Sequence, residues 1–179
     1  AFYIKTTLDE KKGVNSEEKK RVRNIIDKVT NNDGYNAIYA TWENLAIGGG
    51  GRRVVTETTY YYYAVGFKKG SLVVVPLSFA GGDISYKEVE IYNKENVGMV
   101  NGKEGKNWLE LYDLNGKELV KLMVGPSETK EDKYHPVNIE QKEEYEEFCK
   151  FIGEFMSEVN SFHNVEVTGK IGKPLAKKK

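Results

Sequence analysis

The chain has 179 residues, of which 39% are apolar, 30% charged and 12% aromatic, and its 27 Lys and Arg balance 27 Asp and Glu. A chain of this length buries roughly two thirds of its unfolded surface in one domain, and a formal net charge of zero excludes the basic surplus that general nucleic-acid binding requires. The lone Cys149 cannot form an internal disulfide, and the longest apolar stretch, Leu72 to Phe79 broken by Pro76, falls far short of the ~18 residues of a membrane-spanning helix.

A cytoplasmic protein is therefore expected. The amino terminus, Ala1-Phe2-Tyr3-Ile4-Lys5, carries neither a basic n-region nor an apolar h-region, so no secretory signal is expected there.

In chain order, the first element is a helix over about 16–30. Asn15 and Glu18 have the spacing of a capping box, and Val22, Ile25, Ile26 and Val29 recur at helical intervals to form one apolar face. Asn31-Asn32-Asp33-Gly34 ends it, since these residues tolerate positive φ or bond their own backbone.

From Tyr35 to Val124 the pattern becomes that of strands. Tyr35–Ile47, Arg53–Phe67 and Ser71–Phe79 are rich in Val, Thr, Tyr and Ile and are separated by Gly48-Gly49-Gly50-Gly51 and Lys68-Lys69-Gly70, which predicts a meander. A strand over Tyr86–Tyr92 would set Val89 and Ile91 on one face and Glu88 and Glu90 on the other, as in a sheet with one solvated side. A short strand is expected over Val97–Val100. Trp108–Asp113 and Glu118–Val124 flank Asn115-Gly116, the signature of a hairpin with a type I′ turn.

The last strong element is a helix over 139–159. Asn138 and Gln141 read as a second capping box, and Tyr145, Phe148, Ile152, Phe155 and Val159 form an apolar stripe that must dock on a sheet. Val165-Glu166-Val167 is expected to add a short edge strand, followed by a basic tail from Gly169 to Lys179. The fold class is α+β, mainly antiparallel, with six or seven strands. The organisation is a 1–34 extension with a helix, a 35–160 sheet unit with its closing helix, and a 161–179 edge strand and tail, one domain overall.

The run Ile84-Ser85-Tyr86-Lys87-Glu88-Val89-Glu90-Ile91 followed by Trp108-Leu109-Glu110-Leu111-Tyr112-Asp113-Leu114-Asn115-Gly116-Lys117, with a capped aromatic helix last, resembles bacterial pleckstrin-homology-like (PH-like) domains over roughly 35–160. The resemblance implies a barrel, or two packed sheets, closed at one end by the carboxy-terminal amphipathic helix. It also implies that basic residues near the first strand–strand loop, here Arg52 and Arg53, are where lipid-binding members hold a headgroup.

Enzyme signatures are missing. His135 and His163 lie far apart in expected loops, no zinc-ligand spacing occurs, no Gly-x-Ser-x-Gly elbow exists, and no phosphate loop precedes a Gly-Lys pair. Arg53 stands where a dinucleotide fingerprint needs its last glycine. Cys149, beside Phe148 on the closing helix, reads as a packed small hydrophobe rather than a nucleophile. No cofactor and no metal are expected.

Two surfaces stand out instead. Gly50 and Gly51 with Arg52 and Arg53 offer backbone N–H groups and guanidiniums to an anion such as a lipid headgroup, although a solvated hairpin tip needs the same residues. In the run Tyr60–Tyr63, Tyr61 and Tyr63 are in step with Val65 and Phe67 as core members, which leaves Tyr60 and Tyr62 with Ala64 and Gly66 on the opposite face. There the two rings either meet a partner or lie under the first helix. The expected function is a non-catalytic binding or scaffold module for a protein or peptide; the alternatives are a small-molecule or anionic-lipid site at Arg52 and Arg53, and an enzyme of unrecognised type.

Overall fold

A computed structural model describes residues 17–80, 83–86, 88–171 and 176–177. Helix α1 spans 17–30; Asn15, the expected cap, lies outside the described residues. At its other end Asn31 and Asn32 take positive φ (54° and 58°) and Asn32 N–H donates to the Asp27 carbonyl, so the predicted stop operates as its chemistry requires.

Among the described residues twelve strands follow: β1 (Asn36–Gly48), β2 (Val55–Lys68), β3 (Ser71–Ala80), β4 (Asp83–Ser85), β5 (Glu90–Tyr92), β6 (Met99–Gly102), β7 (Trp108–Tyr112), β8 (Glu118–Val124), β9 (Ser127–Glu128), β10 (Ile139–Glu140), β11 (Val165–Glu166) and β12 (Ala176–Lys177), with helix α2 (Lys142–His163) between β10 and β11. Every pairing among these strands is antiparallel. The main sheet has eight strands in the order β4-β3-β2-β1-β8-β7-β6, with β5 also on β3, and it does not close on itself. Its meanders β1–β3 and β6–β8 are joined through only two β1–β8 pairs, Ala40↔Val124 and Thr41↔Met123.

Both faces of the sheet are covered, by different elements. On one face α2 packs Phe148, Phe151, Ile152, Phe155 and Val159 against Ile38, Val65, Phe67 and Leu72 of the first meander and Leu109, Leu111 and Leu122 of the second. On the other, α1 sets Val22 and Ile26 over Tyr35, Tyr39, Ala64 and Val73. Gly66 lets α1 approach, since a Cβ there would lie 2.8 Å from Ile26 Cγ2.

Two buried amides anchor α2 at its ends. Gln141 receives the Tyr39 N–H at 2.9 Å and donates to the Tyr39 and Gly125 carbonyls, each at 2.9 Å. It thus stands in for a neighbouring strand where β8 leaves β1. Asn160 makes the same two-way contact with Val100, accepting its N–H at 2.9 Å and donating to its carbonyl at 2.8 Å, which covers the outer edge of β6. A third buried polar group, Glu110 on β7, accepts from Asn101 at 2.7 Å and pairs with Lys121 at 3.2 Å. Asn101 also holds the chain after α2, through Gly169 N–H and the Lys170 carbonyl.

Several expectations are corrected. Asn138 does not cap α2: its Oδ1 accepts the Lys130 N–H, Gln141 occupies the cap position without a side-chain capping bond, and the helix runs on to Asn164, a left-handed cap. The 115–116 turn is not type I′, because Asn115 keeps negative φ and only Gly116 (φ 83°) is left-handed. Asp113 Oδ1 instead accepts from Asn115 and Lys117 N–H, an Asx-supported turn with a bulge. Of the expected 86–92 strand, Glu90–Tyr92 forms β5, with Tyr92 in the core and Ile91 half exposed, outside the cluster that α1 joins. Val165–Glu166 pairs with Ala176–Lys177 rather than with the main sheet. The strand count exceeds six or seven, and Tyr61, expected in the core, is 42% exposed because β2 loses β3 as a neighbour at Tyr62↔Leu77.

Candidate binding surface

The β1–β2 hairpin is paired without interruption from Asn36↔Phe67 to Gly48↔Val55, but β8 accompanies β1 only as far as Thr41 and β3 accompanies β2 only from Tyr62. Beyond those positions the two strands continue as a ribbon with neither outer edge paired in the sheet. From Glu43 to Thr59 its side chains are exposed on both faces, including Leu45 at 58%, Ile47 at 70%, Val54 at 78% and Val55 at 59%. Thr56, Thr58 and Thr59 supply β propensity in place of a core.

The 49–54 loop closes the ribbon. Gly49 is the glycine this loop requires, because a Cβ there would collide with the Arg53 carbonyl oxygen. Gly50, Gly51, Arg52 and Arg53 are all exposed at the tip, and among the described residues neither arginine makes an ion pair. Arg52 and Arg53 precede β2 rather than opening it. Lys68 and Lys69 lie at the β2–β3 turn, the opposite end of β2, so the two basic pairs form separate places.

Tyr60 and Tyr62 come together with residues distant in sequence at the root of the ribbon. The β9–β10 pairing, Glu128↔Ile139, holds out the 129–138 loop. Within it the Asp132 carboxylate accepts the Tyr134 and His135 N–H groups at 2.8 and 3.0 Å and contacts His135 Nδ1 at 3.2 Å. These bonds, the Tyr134 N–H first, hold the Asp132 carboxyl below its usual range. Tyr60 stacks on Tyr134 with centroids 4.6 Å apart. The Tyr62 hydroxyl donates to the Tyr134 carbonyl at 2.9 Å, and its ring meets Phe79 edge-on at 5.2 Å. Hence α1 covers Ala64 and Gly66, whereas the 134–137 segment reaches the two tyrosines.

Between β1–β2 and this segment lies a cavity of about 150 Å³ lined by Tyr39, Glu43, Tyr60, Glu128, Tyr134 and His135, among others. His135 Nε2 is 3.9 Å from Glu43 Oε1. Burial raises the Glu128 carboxyl above its ordinary value, against a lowering by His135, and burial raises the Tyr39 phenol strongly, so it stays neutral. In the sequence His135 stands only as an isolated loop histidine and Glu43 carries no signal, because their approach runs through a loop held by a two-residue pairing with no periodicity of its own.

Among the described residues no group of three or more His, Cys, Asp or Glu is placed to hold a metal ion. None of their helices is long and apolar enough to cross a membrane. Burial raises the Cys149 thiol, partly offset by a bond from Tyr145, which leaves it a poor nucleophile. Compared with family models, with curated proteins and with solved structures, the chain matches none.

Proposed function

We propose that the protein is a non-catalytic binding or scaffold module of the PH-like kind, which holds an extended peptide segment of a protein partner along the free edge of the β1–β2 ribbon. The observation that carries this reading is the ribbon itself: strands paired to their ends, unpaired outside Thr41 and Tyr62, with Leu45 and Ile47 exposed on one face. Unpaired backbone groups supply hydrogen bonds to an added strand, and alternate side chains supply specificity. The two meanders joined at β1–β8 and the helix packed across both support the PH-like reading, and the lone buried Cys149 fits a cytoplasmic protein.

Selection from a displayed library of random linear peptides tests it. Enriched peptides should bind the parent protein and bind at least about tenfold more weakly to a Leu45→Ser, Ile47→Ser variant, as two lost apolar contacts of about 1 kcal/mol each imply. No enrichment, or equal binding to parent and variant, contradicts the reading.

A second reading rests on the tip. Arg52 and Arg53 are exposed beside Val54 and Val55 with no ion pair among the described residues, an arrangement suited to an anionic lipid headgroup. It requires salt-sensitive association with phosphatidylserine vesicles that an Arg52→Ala, Arg53→Ala variant loses. Absence of association by the parent, or equal association by the variant, removes it.

A further inference from the structure

We infer that the cavity at the ribbon root receives one organic cation, the ammonium or guanidinium head of a basic side chain on the bound peptide. This rests on the peptide-holding reading of the ribbon and adds the chemistry of one residue of the partner. Three features converge. The cavity is small, about 150 Å³, which suits a single side-chain head rather than a drug-sized ligand. Tyr60, backed by Tyr134 at 4.6 Å, presents aromatic surface whose negative quadrupole attracts a cation. Glu43 and Glu128 line the cavity, and among the described residues no Lys or Arg does.

The charge balance sets the sign of the ligand. An anion entering would meet repulsion from two carboxylates, and a cation would meet attraction from both. A cation offsets the cost of holding Glu128 half-buried, a cost visible in the upward displacement of its carboxyl. His135 is already engaged by Asp132 at 3.2 Å and stands 3.9 Å from Glu43, so it fixes the rim rather than filling the space. The tyrosine hydroxyls of Tyr39 and Tyr62 stay neutral because burial raises both phenols, and they add no competing charge.

The test uses free cations as probes, read by the aromatic resonances of Tyr60 and Tyr134. Butylammonium and methylguanidinium should each give saturable shifts, and whichever saturates at lower concentration identifies a lysine or an arginine; n-butanol and butyrate should give none. Glu128→Gln and Tyr60→Leu should each weaken the cation about tenfold, while Tyr60→Phe, which keeps the ring, should stay within about twofold. Amide spectra matching the parent show that a variant remains folded, and the comparison of Tyr60→Leu with Tyr60→Phe is decisive where Glu128→Gln disturbs the loop. Shifts without saturation, or an equal response to n-butanol, overturn the inference. If cations fail while selected peptides still bind the ribbon, the cavity assignment falls and the ribbon reading stands; if cations saturate while no peptide binds, the ribbon reading falls.

Discussion

The two halves of the β1–β2 hairpin share one unbroken register and differ in almost everything else. In the inner half, 36–41 against 62–67, both faces carry apolar side chains, and each face has its own helix, α2 over Ile38 and Val65 and α1 over Ala64 and Gly66. In the outer half, 44–48 against 55–59, the same ladder continues with every residue exposed. Hydrogen bonding alone therefore does not mark the boundary of the folded body; burial does. Since a paired backbone bond contributes only about 1 kcal/mol net and a bare two-stranded hairpin is marginal in water, the outer half is held chiefly by its continuity with the inner one and has spare bonding capacity for a partner.

The sharpest way to break this comparison is to truncate a side chain on the covered side. Phe155 is 1% exposed and stacks on Phe151 at 5.1 Å, so Phe155→Ala should cost about 3–5 kcal/mol in urea unfolding. A loss under about 1 kcal/mol would mean that α2 does not close the sheet. Next in size, Gln141→Leu keeps the volume but strands the Tyr39 N–H and carbonyl at the place where β8 departs, and should cost about 2 kcal/mol by the same assay.

Glu128 tests the root of the ribbon. Its folded-state carboxyl is raised by burial, so the proton is bound more tightly folded than unfolded, and the ionised form opposes folding. Stability from this group is lowest above its folded value and recovers as pH falls through that value toward the ordinary glutamate range. Glu128→Gln should accordingly stabilise the protein near pH 7 by less than about 1 kcal/mol, since the half-open position is screened by solvent, and the gain should vanish in acid. Urea titrations at several pH values check it. The smallest effect is expected outside: Leu45→Ser with Ile47→Ser should change global stability by no more than about 0.5 kcal/mol.

The covered half was the more legible in sequence. The stripe Phe148, Ile152, Phe155 required an apolar sheet and found one, and Val65 and Phe67, read as core members by alternation, lie on the face that met it. What escaped was whatever depended on long-range pairing. Gln141 read as half of a capping box and Asn160 drew no reading, because nothing local marks an amide that pairs with a strand 102 or 60 residues away. Tyr61 read as core because alternation does not reveal where a neighbouring strand stops. The Tyr60 and Tyr62 face was legible, but its cover, the 134–137 segment, was not, since that loop is positioned by tertiary contacts and an Asp132 turn rather than by a repeating pattern.

The central claim, that one hairpin is half core and half open binding edge, is tested most directly by residue-resolved amide exchange with and without a display-selected peptide. In the free protein, amides of 38–40 and 63–67 should exchange only with global unfolding, and those of 44–48 and 55–59 should exchange far faster through local opening. Added peptide should slow exchange along 42–48 and leave the inner half unchanged. Equal protection of both halves in the free protein, or a bound peptide that protects other residues and leaves 42–48 as fast as before, would contradict it.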